Sequence, residues 1–208
     1  MDFNFNIYPV ITGKFCKNNS PLETMKILAK TGIKIVQLRE KEISKKELYN
    51  LAIEFRKITS SVGIALIIND HIDIALAVNA DGVHLGQDDL PCSAARKIAP
   101  SMVIGISTHN LDEAKTAQEN GASYINIGPI FSTSTKETKV SALGIEIIKH
   151  INKEISIPFT VMGGIKKHNV RDLLSAGATR FAMVTEITMA DNIHGRVDEL
   201  VAIINNTL

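Results

Sequence analysis

Eight short apolar segments alternate with longer amphipathic segments along this sequence, and this alternation constrains the fold more than any other feature. The apolar segments occupy residues 7–12, 33–39, 64–68, 82–85, 102–107, 123–128, 158–162 and 180–184. Such alternation is typical of parallel strands connected by crossover helices. With eight strand–helix units in 208 residues, the sequence predicts an α/β fold, a single (β/α)8 TIM barrel over residues 1–208.

A doubly wound parallel sheet is the main alternative, but it usually has fewer strands. The fingerprint G-x-G-x-x-G, which follows the first strand of dinucleotide-binding sheets, is missing here. The predicted helix starts also fit the barrel units. Ser20 followed by Pro21 is typical of a helix start, and Ser44 with Glu47 three residues later forms a capping box.

The charge and cysteine content disfavour several classes of partner and site. The chain has 23 Lys and Arg against 22 Asp and Glu, a net charge of +1, so we expect neither nucleic acid nor an anionic membrane as partner. Cys16 and Cys92 lie far apart and indicate neither a disulfide framework nor a zinc site. No signal-peptide pattern and no apolar run of about 20 residues is present. We therefore expect a cytoplasmic protein, and the sequence leaves a homo-oligomer open.

Acidic residues follow two neighbouring predicted strands. Asp70 comes directly after residues 64–68 and Asn69, and Asp88 and Asp89 come shortly after residues 82–85. In a barrel these strands end at the same side, so the acids can approach one another. One or two carboxylates, with water and phosphate oxygens, suit Mg²⁺. The alternative is that Asp70 and Asp89 only cap the helices that follow.

The second predicted strand carries polar side chains on one face. Gln37, Arg39 and Lys41 alternate with apolar residues that suit the helix layer, which turns the polar three toward the barrel mouth. Two cations and an amide in one row can bind a phosphorylated ligand. The alternative is a solvated strand end, in which Glu40 and Glu42 pair with the two cations.

Further phosphate-binding groups follow the last four predicted strands. They are Ser107, the run Thr133-Ser134-Thr135-Lys136, the pair Gly163-Gly164, and Val184 with Thr185. Hydroxyls, an ammonium group and closely approaching backbone N–H groups can all donate to phosphate, and in barrels the loops after strands seven and eight often do so. Helix capping, a solvated loop and a tight turn are the alternative explanations. The six histidines show no metal-ligand spacing, and no nucleophile–base pair is recognised.

Taken together, these motifs resemble the thiamine-phosphate synthase family along nearly the whole chain. The matching blocks are QLREK at 37–41, ND at 69–70, ADGVHLGQDD at 80–89, GIST at 105–108, GPIF at 128–131 with TSTK at 133–136, GGI at 163–165 and VTEI at 184–187. The resemblance implies a Mg²⁺-dependent transferase of thiamine biosynthesis. It would join a hydroxymethylpyrimidine diphosphate to a thiazole phosphate and release diphosphate.

The resemblance also implies residue roles. Asp70 and Asp89 would hold Mg²⁺. The pyrimidine diphosphate site would comprise Gln37, Arg39, Lys41, Asn69, Ser107 and Lys136. The thiazole phosphate site would comprise Thr133, Ser134, Thr135, Gly164, Val184 and Thr185. Among these residues, Lys41, Ser107 and Lys136 would be catalytic, because they would stabilise the departing diphosphate.

Two departures from the family pattern concern the first and seventh strands, which end in Thr12-Gly13 and Met162-Gly163, and a third is Thr185 in place of the usual serine. The nearest rival is a thiazole tautomerase-like relative, which would lack the metal and diphosphate residues. A non-catalytic sensor of phosphorylated ligands on the same barrel is the rival from a different class.

Overall fold

Eight parallel strands form a closed barrel in chain order, so that β8 pairs with β1. The structure is a computed structural model that describes residues 3–133 and 141–207. The strands are β1 (Ile7–Ile11), β2 (Ile35–Leu38), β3 (Ala65–Asn69), β4 (Gly82–Leu85), β5 (Val103–Thr108), β6 (Tyr124–Ile127), β7 (Phe159–Val161) and β8 (Phe181–Met183). The predicted (β/α)8 barrel is therefore confirmed.

Helices connect the strands on the outside of the barrel. They are α1 (Pro21–Leu28), α2 (Lys45–Val62), α3 (Ile72–Ala77), α4 (Cys92–Ile98), α5 (Leu111–Glu119), α6 (Glu146–Glu154), α7 (Val170–Ser175), α8 (Thr185–Thr188) and α9 (Ile193–Asn205). Short 3₁₀ turns lie at Gly13–Phe15 and Lys167–Asn169. In the described part of the chain, no helix has the length and apolar character that crossing a bilayer requires.

Local sequence signals set most helix ends. The capping box of α2 forms as predicted, because the Ser44 hydroxyl accepts from the Glu47 N–H and the Glu47 carboxylate accepts from the Ser44 N–H. Helix α2 ends at Gly63, which adopts a left-handed conformation with φ of 70°. The last helix begins at Ile193, where the Asn192 side chain caps it by accepting from the Gly195 N–H at 2.9 Å.

Side chains alternate between two apolar layers along each strand. On β2, Val36 and Leu38 face outward and share the outer core with Leu48 and Phe55 of α2. Residues of the opposite parity point into the barrel, where Gln37 is buried. Gln37 therefore points into the barrel as predicted. Strand β2 ends at Leu38, however, so that Arg39 and Lys41 lie in the loop that follows and not on the strand.

Aromatic side chains fill the amino-terminal half of the barrel interior. Tyr8 and Tyr124 are fully buried there, and Phe3 and Phe5, which precede β1, pack against them with ring centroids 5.6 Å (Phe3–Tyr124) and 5.9 Å (Phe5–Tyr8) apart. Tyr124 fits because Gly105 on the adjacent strand has no side chain. A Cβ atom at Gly105 would lie 2.1 Å from the Tyr124 Cζ. Apolar and aromatic groups thus close this end of the barrel.

Candidate active site

A cavity opens at the carboxyl ends of the strands, the end where barrel enzymes carry their active sites. Its lining comprises Arg39, Ser107, His109, Asn126, Gly128, Pro129, Ser132, Thr133, Met162, Gly163, Gly164, Ile165, Lys166, Ala182, Met183, Val184 and Thr185. Six residues of the predicted site belong to this lining: Arg39, Ser107, Thr133, Gly164, Val184 and Thr185. The predicted residues Ser134, Thr135 and Lys136 lie outside the described residues.

The two predicted metal ligands lie side by side at the mouth. Asp70 follows β3 with a φ of 61°, and its N–H donates to the His84 carbonyl at 2.8 Å. The Asp89 carboxylate accepts from the Gly86 N–H at 2.6 Å. Burial and the adjacent Asp70 carboxylate raise the pKa of Asp89 above its ordinary value. A carboxylate pair of this kind carries mutual repulsion that a cation would relieve.

The alternative explanation, helix capping, does not fit either aspartate. Helix α3 has His71 at its N-cap and α4 has Pro91, and neither position carries a side-chain cap hydrogen bond. Neither carboxylate is therefore engaged in capping the helix that follows it.

The chemistry of this pair fits Mg²⁺, which commonly binds through one or two carboxylates and completes its shell with water and substrate phosphates. Within residues 3–133 and 141–207, no group of three or more His, Cys, Asp or Glu side chains is placed to hold a metal ion. A dedicated all-protein metal cage is thus not formed by these residues. The Lys41 Nζ lies 2.9 Å from Asp70 Oδ2, beside the aspartate pair.

Cations from the loop after β2 face the same mouth. The proposed pairing with Glu40 and Glu42 is not what the structure shows for Lys41, because Lys41 contacts Asp70, Glu40 accepts from the Gly13 N–H at 2.6 Å, and Glu42 pairs with Lys14. Burial lowers the pKa of Arg39, and the nearby carboxylates of Asp70 and Glu40 partly oppose that effect. In the part of the chain that is described, no ion pair neutralises Arg39 directly, so its charge faces the cavity.

A buried chain of hydrogen bonds runs through the barrel interior to the cavity, and we call it the polar chain. It consists of Gln37, Tyr8, Tyr124, His84 and Ser107. The Gln37 amide donates to the Tyr8 hydroxyl at 2.8 Å, and the two phenol oxygens lie 3.0 Å apart. His84 joins the Tyr124 hydroxyl through Nδ1 and the Ser107 Oγ through Nε2, at 2.9 Å each.

When the Gln37 amide nitrogen faces Tyr8, each hydrogen bond of the polar chain donates in the direction from Gln37 toward Ser107. Burial raises the pKa of Tyr8 and of Tyr124 far above the ordinary value, so both phenols keep their protons. Tyr8 accepts from Gln37 and donates to Tyr124, which in turn donates to the His84 Nδ1. The His84 Nε2–H then donates to Ser107 and leaves the Ser107 hydroxyl hydrogen for the cavity.

The Ser107–His84 contact does not provide a nucleophile–base pair, because in this direction the His84 Nε2 already carries a hydrogen and cannot accept the proton of Ser107. The partners lie on β5 and β4, 23 positions apart, and local spacing does not reveal them. The geometry also does not form a catalytic triad, because His84 Nδ1 meets a phenol and not a carboxylate. Asn69, predicted to bind substrate, is buried at the end of β3 in register with His84.

Paired glycines shape the far side of the cavity. Gly163 and Gly164 follow β7 with φ values of 97° and 62°, a region that L side chains rarely adopt. A Cβ atom at Gly164 would lie 2.7 Å from the Phe131 Cβ. Glycine is therefore required both by the turn and by the close approach of the loop after β6. The glycine turn brings backbone groups to the cavity beside Val184 and Thr185.

The sequence also matches a known family model over most of its length. A model described as thiamine monophosphate synthase matches residues 7–187. The chain belongs to the thiamine monophosphate synthase family. The predicted resemblance is therefore confirmed.

Curated relatives in the thiamine monophosphate synthase family are similar over nearly their full length. The thiamine-phosphate synthase of Halalkalibacterium halodurans is 46% identical over 193 residues, covering 92% of this chain and 92% of the relative. That of Pelotomaculum thermopropionicum is 41% identical over 201 residues, covering 96% and 92%. The family likeness thus covers more than nine tenths of the chain.

Solved structures agree with this family assignment. Thiamine phosphate pyrophosphorylase from Pyrococcus furiosus superposes with a TM-score of 0.89 at 30% identity, covering 98% of this chain and 97% of that one. A 3-hexulose-6-phosphate synthase superposes with a TM-score of 0.67 at 18% identity, covering 95% and 98%. The second likeness shows the barrel fold alone.

Proposed function

We propose that this chain is a Mg²⁺-dependent transferase that makes thiamine phosphate. It couples 4-amino-5-hydroxymethyl-2-methylpyrimidine diphosphate with hydroxyethylthiazole phosphate and releases diphosphate. The observation that carries this proposal is the position of Asp70, Asp89 and Lys41 at one mouth, which opens onto a cavity with a second phosphate-binding side at Gly164 and Thr185. The names of the similar family members support the same reaction.

The reaction breaks one bond and forms another at the same carbon. The bond between the pyrimidine methylene carbon and the diphosphate oxygen breaks, and both electrons leave with diphosphate. The thiazole nitrogen then donates its lone pair to that carbon, forming the carbon–nitrogen bond of thiamine phosphate. Because negative charge grows on the leaving group, cations placed around it lower the free-energy barrier of this step.

The residues proposed for this step would stabilise the leaving group. Lys41, Arg39 and the predicted Lys136 contribute positive charge, and the Ser107 hydroxyl donates a hydrogen bond whose direction the polar chain sets. Mg²⁺, when held by Asp70 and Asp89, supplies further charge neutralisation to the diphosphate.

The thiazole phosphate is assigned to the opposite side of the cavity. Backbone N–H groups near Gly164 and Val184 and the hydroxyls of Thr133 and Thr185 are suitable donors there. Two phosphate sites at the two sides of one cavity bring the thiazole nitrogen toward the pyrimidine methylene carbon. Such positioning of two reactants contributes to the rate without any covalent intermediate on the protein.

We further propose that the protein works in the cytoplasm on small phosphorylated molecules, with neither nucleic acid nor membrane as partner. The near-neutral charge of +1 gives no electrostatic reason to bind a polyanion.

The direct test is a coupling assay with both substrates and Mg²⁺, in which thiamine phosphate and diphosphate are measured. We expect stoichiometric product, and loss of activity when a chelator removes all divalent metal. Activity in the presence of excess chelator would refute the metal requirement, and absence of product with both substrates and Mg²⁺ would refute the function.

A pair of adjacent variants tests the metal ligand. Asp89→Asn should reduce the coupling rate by about 10²–10³-fold, by analogy with the loss of other preorganised electrostatic groups. Asp88→Asn, one residue earlier, is the matched control and should keep its activity. Cooperative thermal unfolding of both variants establishes that they fold. Equal activities of the two variants would contradict the assignment of Asp89.

A further inference from the structure

Lys166 brings a cation to the side of the cavity assigned to the thiazole phosphate. The predicted site there contains hydroxyls and backbone groups but no cation among Thr133, Gly164, Val184 and Thr185. Lys166 belongs to the cavity lining, and its Nζ donates to the Thr185 Oγ1 at 3.0 Å. The ammonium group therefore contacts a hydroxyl already proposed to bind phosphate.

The backbone of Lys166 is fixed to the glycine turn. Its N–H donates to the Asn169 Oδ1 at 2.8 Å, and the Asn169 amide donates to the Gly164 carbonyl at 3.0 Å. Asn169 is itself buried. Because one buried side chain bonds both residues, the origin of the Lys166 side chain is held in a constant position relative to Gly164.

A buried carboxylate lies behind the ammonium group. Glu186, only 7% exposed, approaches the Lys166 Nζ at 3.6 Å through Oε2. Its Oε1 already accepts from the Arg196 guanidinium and from the Lys167 N–H, the latter at 3.2 Å. Glu186 therefore accepts hydrogen bonds from Arg196 and Lys167, and its contact with Lys166 is longer than either of them.

The ion pairs in this region leave one positive charge uncompensated. Lys166, Lys167 and Arg196 are joined to the two carboxylates of Glu186 and Glu199. Of the three cations, Lys166 is the one that lines the cavity. A phosphate monoester carries between one and two negative charges near neutral pH, and a charge-assisted hydrogen bond to it is stronger than one between neutral groups.

We propose that Lys166 binds the phosphate of the thiazole substrate and makes the enzyme prefer the phosphorylated thiazole to the free alcohol. This inference rests on the proposed function and assigns to that site a residue that the sequence motifs do not include. In the bound state Lys166 keeps its Thr185 contact or exchanges it for the phosphate oxygens, while Glu186 stays paired with Arg196.

The adjacent lysine provides a matched control. Lys167→Met removes the same charge one residue away, where Nζ pairs with Glu199 at 3.0 Å and lies outside the cavity lining. Lys166→Met should raise KM for the thiazole phosphate about ten- to hundredfold, the usual effect of losing one hydrogen bond to a charged group. KM for the pyrimidine diphosphate should not change, and Lys166→Arg should retain most of the affinity.

The unphosphorylated hydroxyethylthiazole separates phosphate binding from a structural effect. With this alcohol as the second substrate, wild type and Lys166→Met should have the same kcat/KM, because no phosphate is present to be bound. A merely structural role for Lys166 would lower kcat/KM for both thiazoles alike. That result, or an unchanged KM for the thiazole phosphate in Lys166→Met, would overturn the proposal.

Calorimetric titration of the thiazole phosphate into the same variants measures affinity without turnover. We expect weaker binding to Lys166→Met and unchanged binding to Lys167→Met, while thermal unfolding establishes that each variant folds. Equal affinities in the two variants would refute the role of Lys166 but would leave the proposed function standing. Failure of the wild type to couple the substrates would instead refute the proposed function, and the titration still reports on phosphate binding in that case.

Discussion

Replacing Tyr124 with phenylalanine removes one oxygen atom from the middle of the polar chain. The Tyr124 hydroxyl lies 3.0 Å from the Tyr8 hydroxyl and 2.9 Å from the His84 Nδ1. The ring stays in place, so the substitution opens no large cavity and leaves the aromatic contacts with Phe3 and Tyr8 intact. The change therefore isolates the hydrogen bonds from the packing.

The expected loss of stability follows from the two groups that the Tyr124 hydroxyl contacts, the Tyr8 hydroxyl and the His84 ring. Tyr8 is 0% exposed and His84 is 3% exposed, so water cannot easily replace the missing oxygen. Each group loses one hydrogen bond, and a typical hydrogen bond contributes about 0.5–1.5 kcal/mol. Tyr124→Phe should therefore lower the free energy of unfolding by about 1–3 kcal/mol, measured by urea denaturation. Tyr49→Phe, at an exposed tyrosine, is the control and should change it little.

The same substitution should also slow the reaction, because Ser107 loses the hydrogen-bond direction that the polar chain imposes. We expect kcat/KM for the pyrimidine diphosphate to fall about tenfold, the equivalent of one ordinary hydrogen bond. A double-mutant cycle with Ser107→Ala separates the two effects. Without the serine hydroxyl, Tyr124→Phe should have no further effect on kcat/KM, although it should still destabilise the protein.

Two outcomes would refute this reasoning. If Tyr124→Phe slows the reaction as strongly in the Ser107→Ala background as in the wild type, the polar chain does not act through Ser107. If Tyr124→Phe unfolds at the same urea concentration as the wild type, the two hydrogen bonds of the Tyr124 hydroxyl do not stabilise the fold.

Two further predictions concern folding. Gly105→Ala should destabilise the barrel by about 1–3 kcal/mol or more, because the new Cβ would lie 2.1 Å from the Tyr124 Cζ, and urea denaturation should show part of the loss recovered when Tyr124→Leu is added. Glu47→Gln should lower the melting temperature at pH 7, and its difference from the wild type should shrink as the pH falls below 4.5. The Ser44 hydroxyl and N–H hold the pKa of Glu47 below its ordinary value of 4.5, so the carboxylate stabilises the fold above that value and this contribution disappears as the pH falls through the lowered pKa.

Local sequence patterns predict the elements of the barrel well. Short apolar runs became strands, and the capping box at Ser44 and Glu47 formed as expected because its hydrogen bonds join residues three positions apart. The polar groups of the site were also recognisable, since the carboxyl ends of all strands in such a barrel face the same side. Asp70 and Thr185 could thus be assigned to one end from order alone.

The interior contacts could not be predicted in this way. Tyr8 and Tyr124 are 116 positions apart, and they meet because strands from opposite parts of the sequence point their side chains at the same axis. The Asn126–Thr160 hydrogen bond at 3.0 Å joins neighbouring strands, and it depends on the register that pairs these two residues of β6 and β7. Lys166 could not be predicted, because in the sequence a lysine after a glycine turn looks like any exposed lysine. Its position beside the Glu186 carboxylate and the cavity is visible only in the structure.

The closed amino-terminal end of the barrel has a kinetic consequence. Phe3 and Phe5 pack over Tyr8 and Tyr124 at that end, so both substrates enter, and both products leave, through the opposite opening. Because the two phosphate sites are assigned to opposite sides of one cavity, each product shares this opening with both substrates. Product that accumulates should therefore slow the entry of the next pair of substrates.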